Sequence, residues 1–301
     1  MEKEEFYYRE QVCTDTFNSL GQVYNACTSE NHPLIFITEE DFKTGMSILG
    51  ISALMNREIQ IYAFQLMSNH IHLVIGGDEQ QIMSFFNYFV DRLEYCFPGR
   101  LDLKQFKLKL FQIEDIAYFR NSIVYVNRNG FVVNSNVTPF SYPWGTSICF
   151  FQPIVSKYFK LGGMAIGTRK IRNLMHTKNA DSFSDTLFID GYVPPLEFCK
   201  VSMAELVFRD AKQYFYMISR NVETYSKIAK LLGESIYYND NDLYIAATKI
   251  AKEQFKSKDL NTLTAGQKIE LAKQLHFEYN AGDKQLQRML KINENILKSL
   301  F

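Results

Sequence analysis

Asn69-His-Ile-His-Leu-Val-Ile75 is the stretch on which the reading of this chain turns, and Gly76-Gly77 closes it. Its apolar, β-branched content and its glycine stop predict a strand. Residues two apart on a strand project from one face, so His70 and His72 share a face while Ile71 enters the opposite side. Two imidazoles held in this way can reach one divalent ion. Histidines on a polar strand face would give the same triplet with no ligand role. A histidine-triad phosphate hydrolase would need a third alternating histidine, and position 74 is Val.

Outward from the triplet, the flanks read as alternating strands and helices. Residues 58–67 carry Ile59, Ile61, Phe64 and Leu66 and predict a strand. Upstream, Thr38-Glu-Glu-Asp41 reads as a helix start, with Phe42, Met46, Leu49 and Ala53 at helical spacing up to about Asn56. Residues 22–28 predict a first strand after a polar start. Downstream, Asp78 caps a helix whose apolar side is Ile82, Phe85, Phe86, Phe89 and Leu93, ending before Pro98. A short strand over 106–111 and a helix over 114–129 follow. This order implies an α+β domain, an antiparallel sheet with helices packed against it.

The 114–129 helix carries Tyr125 and, one turn on, Asn129. A phenol can attack a phosphodiester when a nearby cation polarises it. A free tyrosine has a pKa near 10, so it needs such a cation or a base. Asn129 could add a third metal ligand through its amide oxygen. An amphipathic helix with Tyr125 in the core fits the same pattern, and Tyr118, seven residues back, lies on nearly the same face.

Composition bounds the rest. The chain has 301 residues, enough for two domains, and is 47% hydrophobic and 15% aromatic, which excludes a disordered chain. Its formal net charge is zero, so there is no global basic signature of nucleic-acid binding. Locally, Arg92, Arg100, Lys104, Lys107, Lys109, Arg120 and Arg128 outnumber Glu94, Asp102, Glu114 and Asp115. Either a phosphate-facing surface or a solvated charged face accounts for that excess. The five cysteines lack any Cys-x-x-Cys spacing, so neither a disulfide framework nor a structural zinc site is expected. No apolar run is long enough for a signal or membrane helix, which predicts a cytoplasmic protein without a membrane partner.

The expected layout is a first domain over 1–160, a linker over 161–185 and an all-α region over 186–301. Within the last, 264–301 reads as a helix-turn-helix-like segment. Helices over 264–279 and 283–290 lead to a turn at Lys291-Ile292 and a last helix capped by Asn293. Leu286, Leu290, Ile292 and Leu297 would form its core. Lys284, Arg288, Lys291 and Lys298 cluster there, with Glu294, Asn295, Lys298 and Ser299 available for groove contacts. A plain helical bundle fits these helices as well.

Three segments together carry a family resemblance: Ala63-Phe-Gln-Leu-Met-Ser-Asn-His-Ile-His-Leu-Val74, Tyr125-Val-Asn-Arg-Asn129, and Phe140-Ser-Tyr-Pro-Trp-Gly-Thr-Ser147. In order and spacing over roughly 20–150 they resemble the REP-associated tyrosine transposases of the HUH (His-hydrophobic-His) class. The family pattern is a Met-x-Asn-His-hydrophobic-His-Leu strand, a helix with Tyr-x-x-x-Asn-Pro and a Tyr-x-Trp-Ser-Ser loop. The resemblance implies a ferredoxin-like catalytic domain with His70, His72 and Asn129 around Mg²⁺ or Mn²⁺. Tyr125 rather than Tyr118 would be the nucleophile, forming a 5′-phosphotyrosine link and freeing a 3′-hydroxyl. It further implies single-stranded or hairpin DNA as substrate and a homodimer; the two basic clusters make Arg92, Lys107, Lys109, Arg120, Arg128, Arg288 and Lys298 the DNA-binding candidates. The rival expectation is a catalytically silent, domesticated DNA-binding or regulatory relative. Two positions depart from the pattern: Gly130 replaces the usual Pro, and Gly145-Thr146 the usual Ser-Ser.

Overall fold

The computed structural model describes residues 3–133, 142–165, 167–175, 177–178, 180–220, 232, 238, 240–257, 259–279, 281–293, 296–297 and 300. Helix α1 (Lys3–Asn18) leads to β1 (Val23–Cys27), α2 (Glu39–Met55), β2 (Gln60–Leu66), β3 (Ile71–Gly76), α3 (Glu79–Cys96), β4 (Lys109–Gln112) and α4 (Ile116–Val133). The helix signals act as their chemistry predicts. Thr38 and Asp41 close a capping box on α2, each side chain meeting the other's backbone N–H. Asp78 accepts from the Gln80 N–H at 2.9 Å and caps α3.

The four strands form one antiparallel sheet in the order β2-β3-β1-β4. His72 lies between Cys27 of β1 and Gln65 of β2 in the register. Directly paired residues share a face, so Gln65, His72 and Cys27 look the same way. The opposite face carries Leu66, which crowds Gly45 of α2 together with Phe36. Across the His72 face runs α4: Asn25 donates to Ser122 at 3.3 Å, and the Tyr62 ring meets Phe119 at 5.5 Å. The sheet is thus covered by helix on both faces, and β3 is buried along its whole length.

Two expectations change here. The polar start is helical: α1 packs on α4 through Phe17 and Phe119, and Glu10 pairs with Arg120 at 2.6 Å. Its sequence, rich in charged and polar residues, carries little apolar periodicity, so packing and ion pairing hold it where pattern does not announce it. Helix α4 does not end at Asn129 but continues through Gly130 to Val133.

The outer edge of β2 is covered. Leu66 N–H donates to the Trp144 carbonyl at 2.8 Å, Thr146 N–H to the Phe64 carbonyl at 3.0 Å, and Lys200 N–H to the Ile61 carbonyl at 2.8 Å. Backbone groups that would otherwise invite another strand are used.

The chain divides into two compact units, 1–131 with 137–218, and 132–136 with 219–301. The expected linker over 161–185 therefore lies inside the first unit. After α5 (Pro153–Gly162), β5 (Met164–Ala165) pairs with β6 (Leu187–Phe188), and between them α6 (Thr168–Met175) buries Ile171 and Met175. Glycines and surface polar residues masked that short amphipathic helix. Helices α7 (Val201–Glu205) and α8 (Ala211–Arg220) follow. In the second unit, helices Asp240–Gln254, Ala265–Tyr279 and Asp283–Leu290 bury Leu243, Leu271, Leu275, Leu286 and Leu290. Lys291 adopts a left-handed conformation (φ 54°), and Leu297 N–H bonds the Asn293 carbonyl with Leu297 fully buried. Glu294, Asn295, Lys298 and Ser299 lie outside the described residues. Among the described residues, no helix is long and apolar enough to cross a membrane.

Candidate functional site

The site forms where β3 passes under α4. His72 projects from the middle of the sheet, while His70 precedes the strand in the β2–β3 turn, where its carbonyl accepts from the Met67 N–H at 2.9 Å. The two imidazoles nevertheless converge, with Nε2 to Nε2 at 3.1 Å and ring centroids 4.9 Å apart. Burial holds the His72 pKa down to about 3, so this ring is neutral at neutral pH, the form that can ligate a metal.

On α4, the Tyr125 ring stands edge-on to His72 at 5.6 Å. Tyr118 lies two turns away beside Asn25, where burial raises its pKa and the Asn25 amide partly offsets that rise. The helix thus separates two tyrosines that spacing alone left equivalent. Asn129 is buried one turn beyond Tyr125.

Gln65 is the residue sequence reasoning missed. It is fully buried opposite His72, and with its amide assigned by its neighbours' donor and acceptor groups, the oxygen accepts from the Gly130 N–H at 3.0 Å and the nitrogen donates to the Val126 carbonyl. One amide thereby ties β2 to both ends of one helical rung of α4. Gly130 follows from this contact: a Cβ there would lie closer than 3.0 Å to both the Gln65 amide and the Tyr142 ring. A proline would also remove the N–H that Gln65 accepts. Gly145 has a backbone cause: its Cβ would stand 2.7 Å from the Phe64 carbonyl oxygen. A polar residue inside the apolar run Phe64-Gln65-Leu66 was the available signal.

A second polar chain fastens α4. Thr146 Oγ1 accepts from the Phe64 N–H at 3.0 Å and donates to Asn127 at 2.7 Å, and the Asn127 amide donates to the Tyr214 hydroxyl at 3.1 Å. From the Tyr-Pro-Trp segment, the Tyr142 hydroxyl donates to the Leu66 carbonyl at 2.8 Å and Trp144 stacks on Phe42 at 5.2 Å.

The imidazole pair fits a divalent cation. With metal–ligand bonds of about 2.1 Å, two donors at right angles stand about 3 Å apart. Among the described residues no group of three His, Cys, Asp or Glu side chains stands together to hold a metal. Further ligands would come from an amide oxygen such as Asn129 or from water.

Among the described residues, the basic candidates are not all offered to solvent. Arg120 is buried, donating to Glu10 at 2.6 Å and to the Val207 carbonyl at 2.6 Å, so its guanidinium is used internally. Arg128 is 2% exposed and likewise does not front solvent. Arg92 donates to the Met175 carbonyl at 3.1 Å and lies over Tyr88. Arg288, in the second unit, is exposed but forms two bonds of 2.9 Å to Asp240. Lys107 is exposed just before β4 and Lys109 at its first position, and Lys298 falls outside the described residues. Spacing along the chain could not distinguish a cation needed by the core from one offered to solvent.

Compared with protein-family models, with curated proteins and with solved structures, the chain has no match.

Proposed function

We propose that this protein is a metal-dependent HUH-type tyrosine transposase or single-strand DNA nuclease, acting through Tyr125. One observation carries the reading: two imidazole nitrogens 3.1 Å apart and a tyrosine ring 5.6 Å from the nearer imidazole, supplied by a strand pair and a helix far apart in sequence. The β-α-β-β-α-β order with strands β2-β3-β1-β4 supports a ferredoxin-like catalytic domain.

In this reading the Tyr125 hydroxyl oxygen attacks a backbone phosphorus of single-stranded or hairpin DNA. A phosphorus–oxygen bond forms to Tyr125, the bond to the 3′-oxygen breaks, and that oxygen leaves as a 3′-hydroxyl after taking up a proton. His70 and His72, with Asn129, would hold Mg²⁺ or Mn²⁺, which when bound supplies charge neutralisation at the phosphate. Exposed Lys107 and Lys109 would contact the DNA backbone. The turn between the last two helices would make 264–301 a helix-turn-helix reader, and the active form would be a cytoplasmic homodimer.

Tyr125 is only 2% exposed, so the reading requires the packing over the phenol to open before DNA reaches it. The same burial favours a second reading, a catalytically silent DNA-binding or regulatory relative. Incubation with hairpin-bearing single-stranded DNA and Mn²⁺ separates them. A covalent protein–DNA species lost in Tyr125→Phe and kept in Tyr118→Phe is expected. Binding without any covalent species would replace the enzyme by the silent relative.

A further inference from the structure

The strongest unused feature is the Asn69 side chain. Its amide nitrogen donates to two backbone carbonyls, those of Glu30 and His32, the latter at 3.0 Å. That fixes which way the amide faces, because turning it over would set its oxygen against two carbonyl oxygens. The Asn69 oxygen therefore points at His70 Nδ1, 2.7 Å away. An amide oxygen only accepts, so His70 Nδ1 must carry a hydrogen.

The consequence passes to the other side of the ring. A neutral imidazole with hydrogen on Nδ1 keeps its lone pair on Nε2. That atom faces His72 Nε2 at 3.1 Å. Two lone pairs at this distance repel, so without a cation the hydrogen between the rings belongs to His72, in its Nε2–H form.

We propose that Asn69 is a positioning residue that locks His70 in the Nδ1–H tautomer, and that His72 is the ring whose tautomer changes when a divalent cation enters. In the metal-free protein His72 donates Nε2–H to His70. When a cation takes both Nε2 lone pairs, the His72 hydrogen moves to Nδ1 by exchange with water. The ring stays neutral and no net proton is released by the pair. The two histidines are thus unequal: one is preset by Asn69, and the other adapts. The role of the pair as cation ligands rests on the proposed function, whereas the metal-free tautomers rest on the two contacts of a neutral His70.

The test is long-range ¹H–¹⁵N NMR of the histidine rings in the full-length protein, first without metal and then with Mg²⁺. Wild type is expected to show His70 as Nδ1–H throughout, and His72 passing from Nε2–H to Nδ1–H on adding Mg²⁺. Asn69→Leu removes the acceptor and is expected to give His70 mixed tautomers and a Mn²⁺ affinity, read by electron paramagnetic resonance, lowered about tenfold. Asn69→Asp keeps the acceptor oxygen for His70 but loses the two bonds to the Glu30 and His32 carbonyls, so it is expected to retain His70 as Nδ1–H while lowering the unfolding midpoint as Asn69→Leu does, which separates positioning from the anchoring of the turn. A backbone amide spectrum confirms that each variant is folded. A single Nδ1–H tautomer of His70 in folded Asn69→Leu overturns the role of Asn69. An unchanged His72 tautomer in saturating Mg²⁺ overturns the exchange. Failure of the transposase reading would appear separately, as wild-type protein that forms no covalent DNA species while the tautomers stand.

Discussion

The two faces of the β2–β3 pair are built from the same few residues and have opposite chemistry. Towards α2 and α3 point Leu66, Ile71, Leu73 and Ile75, all buried and apolar. Towards α4 point Gln65 and His72, equally buried but polar, meeting the Val126–Gly130 rung and the Tyr125 ring. Burying a polar group without a partner costs several kcal/mol, and burying it well bonded brings little net gain over an apolar side chain. The apolar face is therefore sufficient to hold the sheet to its helices. The polar face is needed only if something must be held at a set place, and what stands there is a tyrosine beside two histidines.

If that contrast is real, substitutions on the two faces should fail in different ways. The largest effect is expected for Tyr125→Phe, which should abolish covalent attachment to DNA while moving the unfolding midpoint little. Loss of attachment with an intact fold would assign chemistry to the polar face, whereas attachment by the variant would remove it. Leu73→Ala, on the apolar face, should cost about 2–5 kcal/mol in urea unfolding, because the site cannot collapse into the cavity. A cost under about 1 kcal/mol would show that this face is not the tight core described. Gly130→Ala should cost about 1–3 kcal/mol through overpacking against Gln65 and Tyr142. The double variant Gln65→Ala with Gly130→Ala should recover part of that loss, and additive costs would break the proposed contact.

Acid should act on the polar face. Burial depresses the folded-state pKa of His72 to about 3, against 6.5 for an ordinary histidine. Between those values the unfolded chain binds the additional proton, so the His72 contribution is complete above about pH 6.5 and is lost as pH falls towards 3. The urea midpoint of wild type should drop through this window more steeply than that of His72→Gln, and parallel curves would contradict the assignment. The smallest effect is expected for Lys107→Ala and Lys109→Ala. Each should weaken single-stranded DNA binding a few-fold and lower the salt slope by about one, with no change in unfolding.

Much of the fold was legible because its signals are local. Thr38, Asp78 and the Gly76-Gly77 stop announce helix and strand ends by chemistry confined to a few neighbouring residues. The helices that were missed, α1 and α6 among them, lack long apolar periodicity and are defined by what they pack against. The expected linker failed for that reason. The candidate site divides in the same way. His70, His72 and Tyr125 were found from alternation, helical spacing and family likeness, but the roles of Asn69, Gln65 and Gly130 were not. Those depend on the segment at Glu30 and His32, on the register opposite His72, and on the approach of Tyr142.

By itself, the sequence determined the strand–helix order from β1 to α4, the caps, the apolar face and the residue types able to bind a metal and attack a phosphate. Only the tertiary structure decided which tyrosine meets His72, which arginines are consumed by the core, and why position 130 is glycine. The physical reason is range. Propensity and capping act within a turn or two of chain, whereas a hydrogen bond between Gln65 and α4, or an ion pair between Glu10 and Arg120, exists only after distant segments have been brought together.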